Sequence, residues 1–315
     1  MREYYNMEKI SCTTCKHFDY YILTASSNLR GMVAYNALIQ KGVSIDNLLV
    51  LDFDFTKPKE DMEELCENYS EYSNLPNATV VKCHQYTDCS DYINRLPLSI
   101  SSKIGLDITG FLTPDFFKTV YVLKEIKNIK SIDIFYTESN DYFSLSSFCD
   151  AYKYFDGEIK YSVLNEYYIS SNDKQEVLVC FLGFDKGLSN YVNDIINPSR
   201  TIAVNGFPAY YPKLKDYSLI NNYELLSKIG KENIFYTTAN NPFATYNTLC
   251  EISKSFPNSI LNICVLGNKP MALGACVFAL NHSSFSKVSF PYPKRYNIDA
   301  SKTSNNCWHY EIRFT

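Results

Sequence analysis

Two polar turns carry the residue types that could bind a charged small molecule. In the first, the apolar run Leu261-Asn262-Ile263-Cys264-Val265-Leu266 breaks at Gly267-Asn268-Lys269-Pro270, and Met271, Ala272, Leu273, Ala275, Cys276, Val277 and Leu280 then have helical spacing. A glycine lets backbone N–H groups approach a ligand, a helix start favours an anion, and a lysine adds a full positive charge. The second turn, Asp107-Ile108-Thr109-Gly110, offers a carboxylate and a hydroxyl after another short apolar run. Asp107 and Asp185 are the two carboxylates placed to act as general acid or base, should the scaffold cleave its ligand.

These turns need elements that hold them at one edge of a sheet, and the chain supplies two series of such elements. The first runs over residues 18–138. Tyr21-Ile22-Leu23-Thr24 reads as its first strand, followed by a helix through Leu29, Met32, Val33 and Ala37. Strands are expected at Asn47 to Phe53, Thr79 to Cys83, Lys103 to Thr109 and Ser131 to Tyr136. Helices are expected at Lys59 to Tyr69, Ser90 to Leu96 and from Pro114 through Ile126.

A second series covers 173–293. Its strands are expected at Val177 to Leu182, Thr201 to Val204, Asn233 to Thr237, Leu261 to Leu266 and Lys287 to Phe290, with helices between them. Residues 1–17 read as an irregular lead-in and 139–172 as an aromatic-rich connector. Residues 294–315 read as a polar tail whose alternation from Trp308 to Phe314 fits an antiparallel edge strand. The fold class expected is α/β, with two Rossmann-like units, each a mainly parallel sheet of about five strands flanked by helices.

In a doubly wound sheet of order 3-2-1-4-5, ligands bind beyond the carboxyl ends of strands 1 and 4. That rule gathers Ser26, Asn28 and Arg30 with Asp107, Thr109 and Gly110 in the first half, with Asp52 at the border. In the second half it gathers Gly183, Asp185 and Lys186 with Gly267, Asn268 and Lys269, with Asn205 and Tyr292 at the border. Arg30 has the fork geometry for a phosphate, or for a surface ion pair. Asp52 stands where nucleotide-binding folds place an acid on ribose hydroxyls.

Other chemistries find less support. The first turn lacks GxGxxG, and the chain has neither a GxxxxGK[ST] loop nor a GxSxG elbow. The Cys12-Thr13-Thr14-Cys15 pair has no second CxxC to complete a zinc ribbon, so no metal and no cofactor are read from the sequence. A net charge of −4 argues against extensive nucleic-acid binding, and no apolar run is long enough for a membrane span. Eleven cysteines scattered through apolar segments point to buried free thiols and a cytoplasmic protein.

At these turns the sequence resembles the CRISPR-associated Rossmann-fold (CARF) sensor domains of prokaryotic antiviral defence. The resemblance lies in Gly267-Asn268-Lys269-Pro270-Met271, more faintly in Asp107-Ile108-Thr109-Gly110, and in Ser26 to Arg30 as the turn after the first strand. It implies recognition of a nucleotide or another phosphorylated small molecule by a sensing protein, with a protein partner or a homo-oligomer. Two other readings stand beside it: a nucleotide-cleaving hydrolase on the same scaffold, and a non-catalytic interaction subunit of a defence complex.

Overall fold

The computed structural model describes residues 5–25, 29–53, 71–83, 88–139, 155–170, 174–296 and 303–314. The chain divides into two compact units, Met1–Ser144 with Ile298–Thr315, and Leu145–Asn297. Each is a mixed α/β unit built on its own sheet.

The first unit has a seven-stranded sheet. Its strands are β1 (Tyr5–Lys9), β2 (His17–Thr24), β3 (Ser44–Phe53), β4 (Ala78–Cys83), β5 (Ile104–Asp107), β6 (Ser131–Ser139) and β13 (Thr303–Arg313). The order across the sheet is β1-β13-β6-β5-β2-β3-β4, and β6, β5, β2, β3 and β4 are mutually parallel. Taken in chain order from β2, this parallel part has the 3-2-1-4-5 arrangement that the alternation of strands and helices implied. Burial on both faces explains the apolar runs, as in Leu48–Leu51 and Ile104–Leu106. The helices described here are α1 (Val33–Gln40), entered through a 3-10 turn at Leu29–Met32, α2 (Asp88–Arg95) and α3 (Thr113–Tyr121). Pro114 lies in the first turn of α3, where its missing N–H costs nothing, and a π turn extends that helix over Val122–Ile126. The expected helix Lys59 to Tyr69 lies outside the described residues.

Two segments are ordered differently from their sequence reading. Tyr5–Lys9, within the expected lead-in, forms β1. The C-terminal tail does form an antiparallel strand, but not at the edge: β13 pairs with β6 on one side and β1 on the other. Its Tyr310 and Ile312 are fully buried, which an edge position would not require.

The second unit has a six-stranded sheet of order β10-β9-β8-β11-β12-β7. Its strands are β7 (Phe155–Val163), β8 (Gln175–Phe181), β9 (Arg200–Gly206), β10 (Ile234–Thr237), β11 (Ser259–Val265) and β12 (Ser286–Tyr296). Again the five parallel strands run 3-2-1-4-5, and β7 adds an antiparallel strand beyond the fifth. β7 comes from the stretch read as a connector. Its period of two, with Ile159, Tyr161 and Val163 half-buried and Lys160 and Ser162 exposed, is masked in the sequence by the surrounding aromatics.

Five helices cover this sheet in the described residues: α4 (Leu188–Ile196), α5 (Pro212–Asn221), α6 (Tyr223–Ile229), α7 (Pro242–Ser255) and α8 (Lys269–Asn281). α5 was not anticipated from the sequence, although Leu214, Tyr217 and Ser218 are spaced to bury one face. Leu178, Cys180, Leu182, Val192, Ala203, Leu225 and Cys264 form one core cluster between the sheet and α4 and α6. Helices α7 and α8 pack against each other through Gly274, where a Cβ would stand 2.1 Å from the Pro242 carbonyl oxygen. The described cysteines are free thiols, and Cys83, Cys89, Cys180, Cys264, Cys276 and Cys307 are buried, as their apolar settings led one to expect.

Candidate functional site

In the second unit the register Phe181↔Val265 brings the ends of β8 and β11 to one level. Their turns therefore leave the sheet side by side. A Cβ on Gly183 would stand 2.2 Å from the Leu266 carbonyl oxygen, and one on Gly267 would stand 3.2 Å from the Leu182 carbonyl oxygen. Both glycines thus serve the contact of turn with turn. The Gly183 carbonyl is held from the other side, accepting from Ser218 Oγ at 3.1 Å and Asn222 Nδ2 at 2.9 Å. Ser189 Oγ in turn donates to Asn222 Oδ1 at 2.6 Å, so the first turn is pinned by a buried polar chain.

Asn268 caps α8, its side-chain oxygen accepting from the Met271 N–H at 3.0 Å. Pro270 lacks an N–H, and the Ala272 amide donates to the Asn268 carbonyl. Gly267 and Asn268 stand at the start of α8, just before its first residue Lys269, where backbone N–H groups point out of the helix. Lys269 beside them is half-buried, Asp185 is half-buried, and Lys186 is exposed. This mouth therefore combines the start of a helix with two lysines nearby, an arrangement that favours an anion.

Asn205 and Tyr292 contribute differently. Asn205 is 1% exposed, donates to the Lys215 carbonyl at 3.2 Å and accepts from the Gly206 amide at 2.9 Å, so it fixes the end of β9. Tyr292 is half-buried on β12, opposite Lys160 of β7.

The corresponding place in the first unit is more closed. The register Ile22↔Leu106 sets Thr24 beside the β5 turn, and a Cβ on Gly110 would stand 2.1 Å from Thr24 Oγ1. Asp107 is 1% exposed, and its Oδ1 accepts from the Thr109 amide at 2.8 Å. Thr109 Oγ1 accepts from the Thr137 amide at 3.0 Å, which ties the turn to β6. The Tyr21 hydroxyl titrates well above its ordinary range, first because it is buried and then because Asp107 is near. Cys307 is raised for the same two reasons in the same order. Asp107 thus faces the interior, where it fixes a loop. Asp52 is buried on β3 opposite Lys82, and Arg30 is half-buried in the turn that leads into α1. Ser26 and Asn28 lie outside the described residues, so this first mouth is described only in part.

Two polar clusters had no signature in the sequence. Asn262, fully buried on β11, donates to Glu176 at 2.7 Å and to the Tyr161 hydroxyl at 2.9 Å, and accepts from Ser289 at 2.6 Å. Glu176 also pairs with Lys287 at 2.7 Å. This row crosses β7, β8, β11 and β12, and only strand pairing assembles it. In the first unit, His309 of β13 lies between Glu8 of β1 and Asp133 of β6, at 3.0 and 2.6 Å. Burial pushes the His309 ring toward neutrality, but its hydrogen bonds to Asp133, Cys15 and Glu8 outweigh burial and raise its pKa to about 10.

A scan of protein-family models gives no match, and a search of curated proteins gives none. Among solved structures, the cytoplasmic domain of a prokaryotic cation chloride cotransporter aligns over 88% of this chain and 96% of its own, with 9% identity and a TM-score of 0.27. A phosphoethanolamine N-methyltransferase from Haemonchus contortus, in complex with phosphoethanolamine and S-adenosylhomocysteine, aligns over 97% and 90%, also with 9% identity and a TM-score of 0.27. At such a distance neither bears on ligand or activity. No helix among the described residues is long and apolar enough to cross a membrane.

Proposed function

We propose that this protein binds a nucleotide or another phosphorylated small molecule at the mouth between β8 and β11, and that it senses this ligand as part of a prokaryotic antiviral defence system. The observation that carries the binding is that the start of α8, with Gly267, Asn268 and Lys269, lies at the switch point of a 3-2-1-4-5 sheet. The sensing role rests on the resemblance of Gly267–Met271 to the CARF turn. Binding is favoured over hydrolysis because Asp107, one of the two carboxylates with the right placement in sequence, is enclosed and committed to the Thr109 amide.

The test is calorimetric titration of the full chain with mononucleotides, cyclic oligonucleotides and inorganic phosphate. Wild type should bind one of the nucleotide ligands with an affinity that falls as salt rises. Lys269→Ala should lose that binding, and Asp185→Ala should keep it. No binding by wild type, or an affinity indifferent to Lys269→Ala, would remove the proposal. Turnover of the bound nucleotide that stops in Asp185→Ala would replace it with the hydrolase reading.

A further inference from the structure

The cluster around His309 has the composition and layout of a metal site. His309 Nδ1 is 3.0 Å from Glu8 Oε1 and 3.1 Å from Thr13 Oγ1. Nε2 points the other way, to Asp133 Oδ1 at 2.6 Å, and Cys15 Sγ lies 3.6 Å from that same oxygen. One ligand atom each from Cys15, Asp133 and His309 lies within 4.8 Å of the other two. An ion bound at about 2.0–2.3 Å from such atoms sets its ligands about 3.3–3.7 Å apart in a tetrahedron. The 3.6 Å between Cys15 Sγ and Asp133 Oδ1 meets this, and the ion would take the place of the proton that His309 Nε2 and Asp133 share, opening their 2.6 Å contact.

We infer that Cys15, Asp133 and His309 Nε2 form a binding site for a divalent cation of the zinc class, with Glu8 as the group that orients the histidine. Three further features support this. A histidine that ligates a metal usually donates its other ring N–H to a carboxylate, and Glu8 stands at that nitrogen. The ring plane is fixed by Phe135, stacked at a centroid distance of 4.9 Å and 12° between planes. The mixture of thiolate, imidazole and carboxylate selects zinc-like ions over calcium or magnesium, which prefer oxygen alone. Asp133 and Cys15 are only partly buried, so an ion can reach the site and would keep an open coordination position. The second cluster of this kind, His17 with Asp19 and Asp46, is more exposed, and His17 Nδ1 is spent on Ser44, so it has no such second layer.

The sequence pairs Cys12 with Cys15, but the fold does not use that pair. Cys12 is exposed, and Cys15 turns toward residues far away in the chain. This difference supplies the control.

Metal-free, reduced full-length protein is titrated with Co2+ and followed by absorption, then with competing Zn2+. One equivalent of Co2+ should give a thiolate-to-cobalt charge-transfer band that Zn2+ abolishes. Cys15→Ser, nearly isosteric and still able to hydrogen-bond, should fold and lose the band, and Cys12→Ser should keep it. Glu8→Gln should weaken Zn2+ binding by about 10–100-fold with the ligands intact. A wild-type protein without the band, or a band that survives Cys15→Ser, overturns the assignment. Should Asp133→Asn or His309→Gln fail to fold, the Cys15 and Cys12 variants decide the matter alone.

Discussion

Gly183 and Leu266 touch backbone to backbone: a Cβ on Gly183 would stand 2.2 Å from the Leu266 carbonyl oxygen and 2.9 Å from its carbon. Neither atom belongs to a flexible side chain that could swing away. Gly183→Ala should therefore force the turns after β8 and β11 apart and destabilise the second unit by about 1–3 kcal/mol. Urea unfolding measures this, and an unchanged midpoint would mean that the two turns are not held together as described.

Asn268 allows a separation of cap from ligand contact. Asn268→Ala removes the acceptor for the Met271 amide and should cost about 1 kcal/mol of stability. Asn268→Asp keeps the cap, because a carboxylate is also a good acceptor at a helix start, so thermal stability should be preserved. The same change puts a negative charge at the proposed mouth and should weaken anion binding. Equal binding by wild type and Asn268→Asp would place any anion elsewhere.

His282 sets a pH dependence. Its ring follows α8 and packs on Phe278 and Phe285, with centroids at 4.4 and 5.2 Å. A histidine at a helix C-terminus is ordinarily helped to ionise by the helix dipole, but here burial wins and depresses the pKa below 6.5. The unfolded chain then binds more protons than the folded one once the pH is below the unfolded pKa. Stability should be fully present above about pH 6.5 and should fall as the pH drops toward the folded pKa. Comparison of melting curves for wild type and His282→Gln across this window tests it: the variant should show a smaller fall, and parallel curves would refute the assignment.

Among the described residues, β13 alone joins β1 to β6 in the first sheet. Truncation before Thr303 would expose the buried edge of β6, remove Tyr310 and Ile312 from the core, and leave Glu138 without the Trp308 indole that donates to it at 2.6 Å. The first unit should lose its cooperative unfolding transition, while the second unit, whose strands lie within Leu145–Asn297, should keep its own. A truncated chain that retains both transitions would show β13 to be dispensable.

The alternation of apolar runs with amphipathic segments is local information, and it was enough to define the parallel part of both sheets. Strands such as Leu48–Phe53 and Leu261–Val265 are buried throughout and apolar but for Asp52 and Asn262, because helices cover both faces, and that pattern is written into the chain itself. The structure also gives Asn268, read in the sequence as a ligand contact, a helix cap's role, as it does Asn241; each accepts amides at the start of its helix. Tertiary structure alone decided the placement of β1, β7 and β13, because an antiparallel strand added to a sheet edge is chosen by its partner and not by its own period. It alone set the use of each polar residue as well. Asp107 and Asn205 have the types a ligand site wants, yet both are buried and bond the Thr109 and Gly206 amides, which makes them loop fasteners. Conversely, Glu8, Cys15, Asp133 and His309 are dispersed over some three hundred residues, and no spacing could join them until β1, β13 and β6 paired.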